Sequence, residues 1–451
     1  MIPADAALVV RSNLKAMAEE AGGMEQLKKR ASSSNNPLLT ALSQDAEECG
    51  IAFEEDAYLY ASLNRDEPTL LFALADQSKF EAKLKELNTQ GLCGEIQQGN
   101  PFRWVAFPGK GLCAYTDDFA AWVYAPITPP ESILSRLQEL QNLEEKDMFI
   151  TQAGYQHLES LKGSTRFYLS LETLPNTDLI ATALGMPFQL SAEDLRLYGS
   201  ISLTPKQASL KAKLYSDNTE VQEFLVRQSL DMHAVSGKYF SYLPDDLMAC
   251  IALKLDGDGY SKINAIPDIG SSLSTLAELS GIDAEPFLDS FSGDFLFAIH
   301  SADMQNPMPG ISCYAECAGK GTKEMLKEAM QKSGGLLGPM LQTVSPDNYM
   351  MRLAPEFPIH LGVKDNDFYF TTTAGKPFES PKHPLRKAGY SALSHGKLIA
   401  YALFCPGKLQ AGNDFIGEYM GENAGLFSGI CAIEFAARPG QEIELNVYFP
   451  E

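Results

Sequence analysis

The chain has 451 residues, 45% of them hydrophobic and 21% charged, enough apolar side chain for a large core. At about 150 residues per domain, the length leaves room for roughly three domains. The net charge of −22 divides into −12 over residues 1–235 and −10 over residues 236–451. Such a surface repels phosphate backbones and anionic headgroups, so no nucleic-acid partner is expected. Apolar runs such as "TLLFALA" and "HGKLIAYALF" fall far short of the roughly 20 residues a membrane helix needs.

No basic n-region or apolar h-region opens the sequence, so a signal peptide is not read. A strand, "ALVV", follows the Pro3-Ala4-Asp5 entry. Pro before a strand tolerates its missing N–H, and the acid caps the turn. "ASSSNNP" (31–37) reads as a loop before a helix. "ECGIAFEEDAYLYASL" carries an acidic turn and a strand. "TLLFALADQSKFEAKLKEL" is a strand, a polar turn and an amphipathic helix. Hairpins follow in "PFRWVAFPGKGLCAYTDDFAAWVYAP", with turns at "FPGKG" and "TDD". "PPESILSRLQELQNL" is a helix, with Ile133, Leu134, Leu137, Leu140 and Leu143 at helical spacing behind Pro-Pro and an acidic first turn. "FYLSLE" and the hairpin "RLYGSISLTPKQASLKAKLYSD" complete the set.

The same order then returns. Pro3 and Asp5 match Pro244 and Asp246. Gly50-Ile51 matches Gly281-Ile282, and Leu84-Lys85-Glu86 matches Leu326-Lys327-Glu328. Asp118-Phe119 matches Asp367-Phe368, and Ala153-Gly154-Tyr155 matches Ala388-Gly389-Tyr390. The expectation is an α+β fold of two homologous halves, residues 1–232 and 238–451, each a mainly antiparallel sheet with helices packed on it.

Motifs that carry chemistry are scarce. GxSxG, HExxH, a Walker loop and GxGxxG are all missing, so no catalytic or metal residue and no cofactor is assigned. "LDGDGYSK" (255–262) begins like a calcium loop. But Tyr260 stands where a third oxygen ligand belongs, Ser261 where glycine is required and Pro267 where the bidentate Glu belongs, so it reads as an acidic turn. The six histidines are scattered, and the acidic doublets suit a chain this acidic. The eight cysteines read as small buried hydrophobes. Cys93 with Cys113, across a meander, is the one candidate disulfide.

The aromatic stretch 101–126 holds both tryptophans. Trp104, Trp122 and Tyr124 are the candidate ligand-binding residues, as a stacking platform for a glycan or a peptide. The competing reading is a sheet face packed under a helix.

The opening "IPADAALVVRSNLKAMAEEAGG", with the mid-chain "YLPDD", resembles a family of uncharacterised Bacteroidetes cell-envelope proteins, domain of unknown function 4836. The resemblance implies an extracytoplasmic lipoprotein, held to the membrane only through an N-terminal lipid anchor upstream of this sequence, and it transfers no active-site residue. The function expected is a non-enzymatic binding or scaffolding module. The alternative is a hydrolase whose site is assembled between the two halves.

Overall fold

The computed structural model describes residues 1–33, 48–63, 65–174, 177, 186–187, 189–231, 233–264, 283–300, 310–317, 321–332, 341–346, 348–354, 357–373, 377–409 and 429–450. The chain divides into two compact units. Unit 1 is Met1–Ala181 with Met186–Phe224, and unit 2 is Thr182–Gly185 with Leu225–Glu451.

Among the described residues, unit 1 contains nine strands: β1 (Ala6–Asn13), β2 (Asp56–Ser62), β3 (Arg65–Ala73), β4 (Arg103–Phe107), β5 (Gly111–Tyr115), β6 (Phe119–Tyr124), β7 (Thr165–Ser170), β8 (Leu195–Leu203) and β9 (Gln207–Ser216). They pair antiparallel in the order β4-β5-β6-β3-β2-β1-β7-β8-β9. Its helices are α1 (Leu14–Glu20), α2 (Met24–Ser33), α3 (Gln77–Thr89), α4 (Pro130–Gln141) and α5 (Ala153–Ser160). Strand β5, "GLCAY", is buried on both faces because a helix covers each. On one face Phe80, Leu84 and Leu87 of α3 meet Val105, Phe107, Cys113 and Tyr115. On the other, Ile133 and Leu137 of α4 meet Leu112, Ala114, Ala121 and Val123. The Asp76 side chain caps α3 by accepting from the Lys79 N–H, and Pro130 opens α4, where a missing N–H costs nothing.

Unit 2 contains β10 (Leu247–Asp256), β11 (Phe291–His300), β12 (Ile311–Cys317), β13 (Leu341–Ser345), β14 (Asn348–Ala354), β15 (Phe357–Lys364), β16 (Asp367–Thr371), β17 (Ala400–Phe404), β18 (Ala432–Arg438) and β19 (Glu442–Tyr448). Their order is β13-β14-β15-β16-β12-β11-β10-β17-β18-β19, all antiparallel. Helices α6 (Gly259–Asn264), α7 (Ala284–Asp289), α8 (Gly321–Lys332) and α9 (Ser391–Ser394) accompany them.

Leaving out the edge strand β13, the two strand orders are the same, with β1 in the place of β10. The details repeat as well. A register shift falls between Ala6 and Leu8 in β1, and between Leu247 and Ala249 in β10. Pro3 bridges Met148 and Pro244 bridges Pro384. The Ala4 N–H donates to Asp147 O as the Asp245 N–H donates to His383 O, and Phe149 N–H to Ile2 O as Leu385 N–H to Leu243 O.

One sequence match is out of register. The ladders set Phe119 of unit 1 against Asp367 of unit 2, because Leu71 pairs with Ala121 as Tyr314 pairs with Tyr369. A one-residue slip moves a side chain to the opposite face. Phe119 accordingly packs with the α4 cluster, whereas Phe368 packs on the other face, with Phe295, Leu361 and Val363. Of "ASSSNNP", the first three residues close α2, and residues 34–37 lie outside the described residues, as does the Gly281-Ile282 match. No helix among the described residues is long and apolar enough to cross a membrane.

Candidate apolar cavity and the filled groove

Side chains two apart on a strand share a face. Through that periodicity Val9 of β1, Tyr58 of β2, Leu71 of β3 and Phe119 of β6 look out of one face of the unit 1 sheet, where they floor a cavity of about 350 Å³. Phe149, Ile150, Tyr155 and Leu158, from the segment leading into α5 and from α5 itself, form its wall. Ile150 stands at the mouth, 44% exposed. Asp56 is the acidic group on the lining.

Arg11, two residues along from Val9, donates from Nε to Asp56 Oδ2 at 2.6 Å and reaches Glu159 with Nη1. Its guanidinium lies 5.8 Å from the centre of the Tyr58 ring. Burial works against the Arg11 charge, but its bonds to Asp56 and Glu159 more than offset this and raise its pKa. Burial raises the Tyr58 hydroxyl, with Arg11 opposing. One guanidinium between two carboxylates gives this triad a formal charge of −1.

The same place in unit 2 is filled. Ladder by ladder, Asp294, Leu296, Tyr314, Glu316 and Asp367 take the positions of Asp56, Tyr58, Leu71, Ala73 and Phe119. Over them runs the segment 236–242. Asp294, 2% exposed, accepts the backbone N–H groups of Ser236 (3.0 Å) and Gly237 (3.1 Å) and the Ser236 hydroxyl. Lys238 Nζ bonds Asp367 at 2.8 Å and lies 3.6 Å from Glu316. The Tyr239 hydroxyl also donates to Asp367, at 2.7 Å. The Tyr239 ring stacks on Tyr314 with centroids 5.4 Å apart, and Tyr242 lies 6.0 Å from the same ring. Gly237, at φ +72°, supplies the turn that lets the segment descend onto the sheet.

The predicted platform residues do not form one surface. Cys113 pairs with Trp122 and Ala114 with Trp104, which places the two indoles on opposite faces. Trp104 packs with the α4 cluster, and Trp122 stacks on Phe107 at 4.6 Å in the α3 cluster. Tyr124 is 50% exposed at the end of β6. The candidate Cys93–Cys113 bridge does not form, none of the eight cysteines is joined in a disulfide, and Cys431 alone is exposed. Cys93 donates to Leu84 O, and burial pushes the Cys113 thiol up to about 12. Both pack as small apolar groups. In "LDGDGYSK", Asp258 accepts the Asp256 N–H and pairs with Lys262 at 2.8 Å, a turn ahead of α6. Among the described residues no group of three or more His, Cys, Asp or Glu side chains could hold a metal.

A histidine–serine pair does exist. His300 Nε2 and Ser312 Oγ share a 2.8 Å hydrogen bond, and Ser312 continues to Thr371 at 3.0 Å. Ser312 is 2% exposed, burial holds His300 down at about 4, and neither residue lines the cavity. The pair satisfies buried polar groups between β11, β12 and β16.

Sequence reasoning missed the cavity and the groove alike. The available signal was the aromatic run "KYFSY" just ahead of the second Pro-acid-acid entry.

Among solved structures, crystal form I of TP0453 is similar at 12% identity over 52% of this chain and 85% of that one, with a TM-score of 0.30. Crystal form III of TP0453 is similar at 11% over 52% and 88%, also at 0.30. No curated protein matches the chain. The family model for DUF4836, a domain of unknown function, matches residues 1–383, and the chain belongs to that family.

Proposed function

We propose that the chain is a non-enzymatic binding module, made of two duplicated units, whose unit 1 cavity takes an apolar ligand. The observation that carries this reading is the 350 Å³ cavity of unit 1, floored by Val9, Tyr58, Leu71 and Phe119. Pockets of this size with an apolar floor and few polar groups are the usual form of small-ligand sites. Descent of the units from one ancestral unit is supported by the shared strand order, the matching register shifts in β1 and β10, and the matching Pro3 and Pro244 bridges. A place outside the cytoplasm, with a lipid tether upstream of Met1, rests on the family resemblance of residues 2–23. Palmitate labelling of the natural gene product, followed by membrane fractionation, tests it, and an unlabelled cytoplasmic product refutes it.

The binding reading is tested with N-phenyl-1-naphthylamine, a neutral dye of two aromatic ring systems. Its emission should rise saturably with one site per chain. Leu71→Trp, which puts an indole into the cavity, should weaken binding at least tenfold. Absence of saturable binding, or binding unchanged in Leu71→Trp, refutes the reading.

A further inference from the structure

We propose that unit 1 holds a second site, a polar pocket under the end of α4 that takes a basic amino acid by its carboxylate and both its ammonium groups. This goes beyond the apolar-ligand reading and does not depend on it. Three observations lead to it.

The first is the pocket itself, a space of about 210 Å³ between α4 and strands β2 and β3. Tyr60, Ser62 and Thr69 line its sheet side, and Arg136, Glu139 and Leu140 its helix side. A cavity of roughly 150 Å³ accepts one benzene ring, so this one admits a ligand of amino-acid size. Unit 2 closes the same position. His300 and Ser312 stand where unit 1 has Ser62 and Thr69, and they bond each other at 2.8 Å. The segment 236–242 of unit 2 bonds instead at Asp294 and Asp367, the equivalents of Asp56 and Phe119 on the apolar cavity, so the polar pocket is separate from that groove. Helix α4 has no counterpart among the described residues of unit 2.

The second is a buried charge. Arg136, 9% exposed, gives Nη1 to Glu67, which also accepts the Thr128 hydroxyl at 2.7 Å. A guanidinium carries a fork of N–H donors and can bridge two carboxylates, as Arg11 of this chain does between Asp56 and Glu159. A ligand carboxylate in the pocket is the second such partner for Arg136. The third is the mouth. Asp5 and Glu139 are exposed on the lining, and among the described residues neither carboxylate is bonded or paired. Helix α4 ends beside them with no basic residue in its last turn, so its C-terminal carbonyls add to the negative field. Arg136 cancels Glu67, and Asp5 and Glu139 leave the pocket a formal −2. One carboxylate and two ammonium groups, joined by a methylene chain resting on Leu140 and Leu143, match these charges. A neutral amino acid leaves one mouth carboxylate unmatched, a diamine leaves the guanidinium unmatched, and a dicarboxylate is repelled.

The test is isothermal titration calorimetry on the full chain at low salt, with L-lysine as the probe. L-lysine should bind saturably at one site per chain. L-norleucine, which lacks the second ammonium, and cadaverine, which lacks the carboxylate, should each bind at least tenfold more weakly. Glu139→Gln changes an exposed side chain and should weaken L-lysine severalfold. Saturating N-phenyl-1-naphthylamine, the probe of the apolar cavity, should leave L-lysine binding unchanged. Absence of saturable L-lysine binding overturns the proposal and leaves the apolar-ligand reading standing. Cadaverine or norleucine as tight as L-lysine overturns it by removing one of the charge contacts. Binding unchanged in Glu139→Gln, or competition between L-lysine and the dye, places the amino acid elsewhere and overturns it as well.

Discussion

Acid should loosen unit 2 through one side chain. His300 is largely buried, its Nε2 bonded to Ser312, and burial lowers its pKa from the ordinary 6.5 to about 4, with Asp246 opposing. The folded state thus resists a proton that the unfolded state takes up readily. Between pH 6.5 and 4 the unfolded chain binds more protons, so stability falls as pH falls through that window, and the loss is complete below about 4. The gap between 6.5 and about 4, at about 1.4 kcal/mol for each pH unit, amounts to roughly 3.5 kcal/mol in full, of which roughly 3 kcal/mol is lost by pH 4. His300→Gln keeps a polar group beside Ser312 and cannot take the proton. Urea unfolding at pH 7, 6, 5 and 4, followed by far-UV dichroism and tryptophan fluorescence together, measures the difference. Both tryptophans lie in unit 1, so a transition seen by dichroism and not by fluorescence reports unit 2. The wild type should lose roughly 3 kcal/mol more than His300→Gln over that range. Parallel loss in the two proteins refutes the reasoning, as does an imidazole NMR signal for His300 that titrates near 6.5.

Two further outcomes are expected. Glu434, 0% exposed, accepts from the Ala392 N–H, the Tyr401 and Tyr448 hydroxyls and Asn446 Nδ2. Glu434→Ala strands these donors and should cost unit 2 about 3–5 kcal/mol in the same urea assay, and a loss under about 1 kcal/mol contradicts the network. With a chromogenic disulfide reagent, the native protein should yield one fast thiol per chain, Cys431, and the other seven only on unfolding. Two or more fast thiols, or a mass gain on reduction and alkylation that reveals a disulfide, count against the packing described.

What the sequence disclosed follows from what each residue does locally. The Pro3 and Pro244 entries were legible because a proline beside an acid leaves a mark in sequence and makes the same bridge in both units. Helix α4 was legible from the spacing of Ile133 and Leu137, and α3 from Phe80, Leu84 and Leu87. The aromatic platform failed for a different reason. Periodicity places residues on one strand but does not fix the register between strands, and one position of offset sends Trp104 and Trp122 to opposite faces. The Asp-Phe match slipped by the same one position. The cavity could not be read at all. It depends on side-chain volumes at Leu71, Ala73 and Phe119 meeting across two hydrogen-bonded strands far apart in sequence, which no single stretch displays.

The two faces of the sheet compare differently between the units. On the face under α3 and α8, apolar residues answer apolar ones: Cys113 and Tyr115 in unit 1, Leu361 and Val363 in unit 2. On the other face, unit 2 sets Glu316, Asp367 and Glu434 where unit 1 has Ala73, Phe119 and Tyr198. Each of those carboxylates engages its own chain, two of them at Lys238 and the third at Ala392, Tyr401 and Tyr448. In unit 1 the corresponding positions leave an apolar cavity. They also set Tyr198, stacked on His157, where Glu434 would take the hydroxyl equivalent to that of Tyr448. That hydroxyl belongs to Tyr215, is buried, and finds no hydrogen-bond partner among the described residues. Unit 2 thus satisfies with its own polar groups a face that in unit 1 is lined mainly by apolar side chains.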